Sequence, residues 1–145
     1  MNTDLIDIKI RAVEGGVTAA AGFKAAGIHA GFRKNLERLD YALVVPDKPC
    51  PGAGVFTTNR FCAAPVQVSR ANLGGADKGY GIIAGVSINS GNANAATGET
   101  GLACARETCN IASQVIGCEP QQILVASTGV IGQILPIDTF ETAVP

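Results

Sequence analysis

The sequence predicts an α/β or α+β sandwich, in which a mixed sheet packs against helices. Short apolar runs bounded by turn-forming residues recur along the 145-residue chain, as is typical of buried strands. Residues 102–116 instead carry apolar side chains at three- and four-residue steps, the pattern of an amphipathic helix. No internal repeat interrupts this order, so residues 1–145 are expected to form a single domain with a modest core.

The first third of the chain is rich in glycine and alanine. Residues 1–16 are weakly patterned, and residues 17–32 predict short strands and turns because their glycines disfavour a stable helix. Residues 33–39 form a charged connection. Residues 41–45, YALVV, are a compact apolar run that predicts a buried strand.

Loops and β-prone runs alternate in the next part. Residues 46–54, rich in proline and glycine, predict a loop. Residues 55–58 and 64–69 favour strands, the second because its valines alternate with polar residues. Residues 72–79 are a polar, glycine-containing loop.

A strand, a long polar segment and the helix follow. Residues 81–88 predict a buried strand, and residues 89–101 predict a loop because glycine, asparagine and threonine dominate them. Thr100 is suited to cap the start of the helix, and Gly117 is suited to end it.

The last predicted strand precedes a second polar loop. Residues 123–126, ILVA, form the strand, and residues 127–129, Ser-Thr-Gly, follow at its end. Pro136 favours the first turn of another helix, with Asp138 near the positive end of that helix.

The charge balance excludes a nucleic-acid footprint. Eleven basic and twelve acidic residues give a net charge of −1, and the densest basic group, Arg33, Lys34 and Arg38, is interpreted as a solvated face. No apolar run approaches the roughly 20 residues that cross a bilayer. The N-terminus lacks the apolar region of a signal peptide, so a cytoplasmic location and no membrane partner are expected.

The cysteines and the histidine carry no recognisable chemistry. The five cysteines form no C-x-x-C pair, so neither a disulfide framework nor a metal site is predicted, and free thiols are expected. They are Cys50, Cys62, Cys104, Cys109 and Cys118. The only histidine, His29, lies in a glycine-rich turn and is expected to be structural or exposed.

Two polar segments follow apolar strands, at residues 88–95 and 126–132. Loops at strand ends often carry binding groups, and small residues expose backbone N–H groups that hold an oxyanion. The same residue types also form ordinary turns, and both interpretations stay open at this point. The acidic residues are scattered singly, so the chain offers oxyanion donors without a visible nucleophile or base.

Five blocks of the sequence resemble the ornithine acetyltransferase family, the bifunctional glutamate N-acetyltransferases of arginine biosynthesis. In order, they are GVTAAAGFKAAGIHAGFR, DYALVV, GVFTTNRFCAAPVQVSR, NSGNANAATGETGLACAR and ILVASTGVIGQILP. Each block alone is weakly specific, but five in the family's order over residues 16–139 are highly specific. The resemblance implies the fold of the ornithine acetyltransferases and self-cleaving aminopeptidases.

The resemblance implies a mechanism in two chains. Family members are made as one precursor that cleaves itself before an internal threonine, which becomes the nucleophile at the start of the β chain. It takes the acetyl group from N-acetylornithine and passes it to glutamate. Some members also accept acetyl-CoA as a donor, and no other cofactor is implied. The expected assembly is an α2β2 heterotetramer.

In the family, the Thr-Gly pair of the STG motif forms the oxyanion hole, and here it matches Thr128 and Gly129. Donors aimed at a developing oxyanion lower the barrier by roughly 3 kcal/mol each. The rest of the α chain, the cleavage threonine and the β chain have no counterpart in residues 1–145. The chain is therefore interpreted as the N-terminal portion of the α chain and as an incomplete domain.

Two other hypotheses remain at the level of sequence. In the first hypothesis, the chain is a truncated non-catalytic remnant or binding module. In the second, it serves acyl transfer on another amine or a peptide, as self-cleaving aminopeptidases do. Thr57, Thr58 and Thr97 lie in family-like blocks, but nothing supports any of them as the nucleophile.

Overall fold

The computed structural model describes residues 11–75 and 77–143. Its strands are β1 Phe23–Ile28, β2 Tyr41–Pro46, β3 Cys50–Ala53, β4 Tyr80–Ile83, β5 Gly85–Asn92 and β6 Ile123–Val130. Its α-helices are α1 Ala64–Asn72, α2 Gly98–Ile116 and α3 Ile137–Ala143. Two short 3-10 turns, Gly16–Ala19 and Pro120–Gln122, complete the regular structure.

The main sheet has four strands in the order β1-β2-β5-β6. The β1–β2 and β2–β5 pairs are antiparallel, whereas β5 and β6 are parallel and are connected through α2. A parallel pair needs such a crossover because a tight turn cannot join its ends. The strands β3 and β4 form a separate antiparallel pair. The predicted mixed sheet with packed helices is confirmed.

The prediction of a strand at residues 64–69 is wrong, because these residues form the first part of α1. Its buried residues recur with a helical period: Ala64, Pro65, Val68 and Ser69. A proline in the first turn costs no hydrogen bond there and fits the helical φ angle. The valines alternate with polar residues as in a strand, but the same sequence also fits a helix that is buried on one side only.

Two further boundaries differ from prediction around the small sheet. Residues 50–53, expected in a loop, form β3, whereas residues 55–58, expected to favour a strand, belong to no regular element. The predicted strand at residues 81–88 is two strands that belong to different sheets and are separated by Ala84. The bounds of these strands depend on pairing with strands that are distant in sequence, and the local residues do not determine that pairing.

The helix predictions hold apart from two boundaries. The helix α2 begins at Gly98 rather than at residue 102, with Thr97 in the capping position instead of Thr100. Gly117 ends it with a φ of 77°, as predicted. The predicted helix α3 is present with Asp138 in its first turn, but Pro136 directly precedes the helix instead of lying in that turn.

The core lies between the helices and one face of the sheet. Ile123 and Ala112, both 0% exposed, join α1, α2 and β6 in one apolar cluster. A second cluster surrounds Phe140 of α3. The ring of Phe140 packs edge-on against the rings of Phe32 and Tyr41, with centroid-to-centroid distances of 4.7 Å and 5.3 Å. These contacts fix the last described helix against the sheet.

Side chains alternate between the two faces of the main sheet. Ser87 and Val125 face the helices and are buried, whereas Val86 and Leu124 point the other way and are half-buried. Within residues 11–75 and 77–143, no helix is long and apolar enough to cross a membrane.

The buried carboxylate of Asp40, 2% exposed, organises the connection between β1 and β2. Its oxygens accept hydrogen bonds from the backbone N–H groups of Ala30 at 2.6 Å and Arg33 at 2.7 Å. Burial alone would raise the pKa of Asp40, but these N–H groups, helped by the nearby His29, hold the pKa below its ordinary value of 3.8. Asp40 therefore stays ionised in the folded protein.

We expect the substitution Asp40→Asn to lower the free energy of unfolding at pH 7 by about 2–3 kcal/mol, because an amide cannot accept both hydrogen bonds. A carboxyl with a lowered pKa stabilises the fold above its ordinary pKa and loses that effect as pH falls through the folded value. The difference between the two proteins should therefore shrink below about pH 4. Urea unfolding at pH 7 and pH 3 measures both effects.

The control is Asp47→Asn, which removes an exposed ion pair with Lys24 at 3.4 Å. An exposed pair contributes at most about 1 kcal/mol. Equal effects of the two substitutions at pH 7 would contradict the structural role of Asp40.

Candidate functional site

The STG segment lies inside β6 rather than in a loop after it, which corrects the prediction from sequence. Residues 88–92 of the first polar segment are likewise the end of β5, and the two strands run side by side in parallel. Ser90 is the register partner of Thr128, and Gly91 is the register partner of Gly129. The structure thus brings the two predicted polar segments together as neighbouring strand ends.

The two strands meet at a close contact between glycines. A Cβ on residue 129 would lie 2.3 Å from the carbonyl carbon of Gly91 and 2.6 Å from the backbone nitrogen of Asn92. Gly129 also has a φ of 134°, a conformation that side chains with a Cβ rarely adopt. Glycine is therefore required at residue 129 by packing and by backbone geometry.

Helix α1 covers the first half of the outer edge of β6, which is the last strand of the main sheet. The hydroxyl of Ser69 donates to the carbonyl of Val125 at 2.8 Å and accepts from its N–H at 2.9 Å. The side-chain amide of Asn72 donates to the carbonyl of Ile123 at 2.7 Å. These side chains replace a neighbouring strand.

The second half of that edge is open. Backbone groups of alternate residues point to alternate sides of a strand. Because the N–H and carbonyl of Val125 point outward to Ser69, those of Ser127 and Gly129 are expected to point outward as well. Among the described residues, no side chain bonds to Gly129 or to the exposed Thr128. This corner of the sheet offers a hydroxyl and a backbone N–H on consecutive residues.

Such a pair of donors suits one kind of chemistry. A hydroxyl and an N–H that both approach one oxygen stabilise the negative charge that develops there in acyl transfer. They supply no nucleophile and no base. The arrangement is therefore compatible with the oxyanion-donor element of an acyl-transfer site.

The asparagines of the NSGNANA segment are buried and bonded within the protein. Asn92 donates to the carbonyls of Gln133 at 3.2 Å and Ile134 at 3.1 Å, and its side-chain oxygen accepts from the N–H of Asn94 at 2.7 Å. The amide of Asn94, 0% exposed, donates to the carbonyl of Gly101 at 2.8 Å. These amides act as a scaffold and are not presented to a ligand.

The same scaffold holds the chain that follows the Thr-Gly pair. The N–H of Ala93 donates to the carbonyl of Val130 at 2.9 Å, and the N–H of Gly132 donates to the carbonyl of Ala95 at 2.8 Å. These two bonds tie the end of β6 and the residues just after it to the segment that follows β5. The position of Thr128 and Gly129 follows from this bonding.

Arg33 is a residue of this region that the sequence interpretation missed, because it was grouped with the exposed Lys34 and Arg38. Arg33 is half-buried, and its Nε donates to the hydroxyl of Ser90 at 3.0 Å. Its distance from Ser90 in sequence is 57 residues, so no local pattern indicates the contact.

The remaining candidates have structural roles. His29 is half-buried, with its Nδ1 at 3.0 Å from the carbonyl of Arg38 and 3.5 Å from Asp40. The five cysteines are free, as predicted, and burial raises the pKa of the Cys109 thiol to about 11. A thiol with such a pKa stays protonated and unreactive at neutral pH. No group of three or more potential metal ligands occurs within the described residues.

The three threonines from the family-like blocks lie elsewhere. Thr57 and Thr58 are exposed in the segment before α1, where the Thr57 hydroxyl accepts from the N–H of Asn59 at 3.1 Å. Thr97 donates to the side chain of Asn94 at 2.8 Å. None of them is a strand neighbour of Thr128.

Solved structures with this fold define the class of protein. A crystal structure of an arginine biosynthesis bifunctional protein from Bacillus halodurans matches 90% of this chain and 65% of its own, with a TM-score of 0.81 and 35% identity. An ornithine acetyltransferase from Mycobacterium tuberculosis in complex with ornithine matches 89% of this chain and 67% of its own, with a TM-score of 0.80 and 38% identity. The chain thus shares its fold with a protein named for arginine biosynthesis and with an ornithine acetyltransferase.

The chain belongs to the ArgJ family, whose model matches residues 24–145. The arginine biosynthesis bifunctional protein of Dehalococcoides mccartyi is 45% identical over 129 residues, which are 88% of this chain and 31% of that protein. Its counterpart in Bifidobacterium longum is 50% identical over 123 residues, which are 84% of this chain and 30% of that protein. The chain spans about a third of the length of these relatives and matches the family suggested by its sequence blocks.

Proposed function

We propose that this chain is the N-terminal part of the α chain of an enzyme that transfers an acetyl group from N-acetylornithine to glutamate. Family membership supports the reaction, and the open corner of β6 supports the role of the chain in it. The hydroxyl of Thr128 and the N–H of Gly129 stabilise the oxyanion that forms on the acetyl carbonyl. The observation that carries this role is the exposed Thr128 next to Gly129 at the edge of β6, where no side chain of the described residues bonds to either residue.

The nucleophile and base belong to the remainder of the protein in this proposal. A threonine freed by cleavage of the precursor begins the β chain, and its own amine serves as the base. The two chains assemble as an α2β2 heterotetramer in the cytoplasm. Acetyl-CoA is a further donor to be assayed, since the family resemblance includes it.

The whole protein should release ornithine from N-acetylornithine in the presence of glutamate and form N-acetylglutamate. Chromatography of the products measures this transfer, and gel electrophoresis shows whether the precursor separates into two chains. An uncleaved protein without transfer would contradict the proposal. Transfer to a peptide instead of glutamate would support the aminopeptidase-like alternative.

The variant Thr128→Ala of the whole protein is expected to lower kcat about a hundredfold, the usual cost of losing one oxyanion donor. Its stability should change by less than about 0.5 kcal/mol, because Thr128 is exposed. Thr128→Ser keeps the hydroxyl and should retain most of the rate. Thr58→Ala, at another exposed threonine, is the matched control, and equal rates for the two alanine variants would remove the oxyanion role of Thr128.

A further inference from the structure

Arg33 is held at both ends beside the Thr-Gly corner. Its backbone N–H is bonded to the buried carboxylate of Asp40 at 2.7 Å, and its Nε is bonded to the hydroxyl of Ser90 at 3.0 Å. Its stem lies against Gly91, since a Cβ on residue 91 would lie 3.2 Å from the Arg33 Cγ. The direction of this long side chain is therefore set by the fold.

The residues that Arg33 contacts are the strand neighbours of the oxyanion donors. Ser90 is in register with Thr128, and Gly91 is in register with Gly129. Side chains of register partners lie on one face of a sheet, and neighbouring strands are about 4.8 Å apart. The hydroxyl that binds the Arg33 Nε therefore belongs to the strand neighbour of Thr128.

The guanidinium has capacity for a further partner. Among residues 11–75 and 77–143, the described ion pairs do not include Arg33, and its two terminal nitrogens make no hydrogen bond. Both oxygens of the Asp40 carboxylate, which accepts the Arg33 backbone N–H, are engaged by backbone N–H groups. Two parallel N–H donors on a guanidinium match the two oxygens of a carboxylate.

Both substrates of the proposed reaction carry a carboxylate close to the acetyl group. Glutamate has a single amine, so the acetyl group is carried on its α-nitrogen. The α-carboxylate is then on the carbon next to that nitrogen, only a few bonds from the carbonyl oxygen that Thr128 and Gly129 would contact. N-acetylornithine has the same α-carboxylate, so one binding group serves both substrates.

We propose that Arg33 is a substrate-binding residue of the Thr128–Gly129 site and that its terminal nitrogens bind the α-carboxylate of the amino-acid substrate. This inference rests on the proposed function. Ser90 is a positioning residue, because it acts on the substrate only by holding the guanidinium.

The first test compares Arg33→Gln and Arg33→Lys in the whole protein. A lost charge-assisted contact should raise KM for glutamate and for N-acetylornithine about ten- to hundredfold, with kcat changed by less than about threefold. Lysine keeps the charge without the paired donors and should restore part of the affinity. Lys34→Gln, at the exposed neighbouring residue, is the matched control and should leave KM unchanged.

The second test separates the carboxylate contact from a structural role. Glutamate whose α-carboxylate is replaced by a primary amide should be a poor acceptor for the unaltered enzyme. For Arg33→Gln, the amide and glutamate should differ by less than about threefold, because the contact is already lost. An equal rise in KM for both acceptors would overturn the proposal.

A direct binding measurement keeps the proposal independent of turnover. If the unaltered whole protein transfers no acetyl group, the proposed function fails, and calorimetric titration with glutamate then tests Arg33 alone. Binding that is at least tenfold weaker for Arg33→Gln supports the site. Equal binding by the two proteins, or binding by neither, overturns it.

Discussion

The substitution Gly129→Ala is expected to destabilise the whole protein by on the order of 4 kcal/mol, which is enough to unfold a marginally stable domain. The new Cβ would lie 2.3 Å from the carbonyl carbon and 2.5 Å from the carbonyl oxygen of Gly91. Both atoms belong to the backbone of a central strand, which cannot move aside without breaking its ladder. The φ of 134° adds conformational strain to this overlap.

Gly132→Ala is a matched control for that experiment. Gly132 also has a positive φ, 81°, but a Cβ there would meet no atom within 4 Å. Its cost should be limited to backbone strain of about 1 kcal/mol. Urea unfolding of both variants measures the difference, and equal midpoints would show that the strands separate easily at residues 91 and 129.

The substitution Asn92→Ala is expected to lower the free energy of unfolding by about 3 kcal/mol. Asn92 is 6% exposed, and its amide bonds to the backbone groups of three residues: Asn94, Gln133 and Ile134. Alanine leaves these groups without partners in a buried place. Because the bonds to residues 133 and 134 fix the chain after β6, acetyl transfer should fall as well, even at temperatures where the protein is folded.

Two further variants make this prediction specific. Asn92→Asp keeps the acceptor for the Asn94 N–H but places a second oxygen against two carbonyls, so it should be no more stable than the alanine variant. Asn110→Ala removes a half-buried amide whose side-chain partner is Glu107 at 2.8 Å, and it should cost less than about 1 kcal/mol. Recovery of stability in Asn92→Asp would show that the two donated bonds contribute little.

The sequence predicts the local features of the fold and of the candidate site. Gly117 ends α2 because glycine readily adopts the left-handed conformation found there. Pro136 precedes α3 because its fixed φ angle favours the start of a helix. The Thr-Gly pair is identified through the order of the family's sequence blocks. The two helix ends depend on single residues, whereas the Thr-Gly pair depends on the order of blocks along most of the chain.

The register of β5 and β6 could not be predicted in this way. Their polar ends have the composition of loops, and only pairing between residues about 38 positions apart makes them strands. The same holds for Arg33, whose partner Ser90 is distant in sequence. The helix α1 was not predicted for a different reason. Over a few residues, the succession of apolar and polar side chains in a half-buried helix can match that of a half-buried strand.

The contact between Gly91 and Gly129 bears on how evolution constrains this region. A mutation at residue 129 is disfavoured by packing before any chemistry is considered, so selection for folding alone would preserve that glycine. Its retention in distant relatives would therefore be weak evidence for a catalytic role. Thr128 is exposed, and among the described residues no packing requirement holds it in place. Selective pressure at residue 128 would thus have a source other than packing within this chain, and the proposed reaction supplies one.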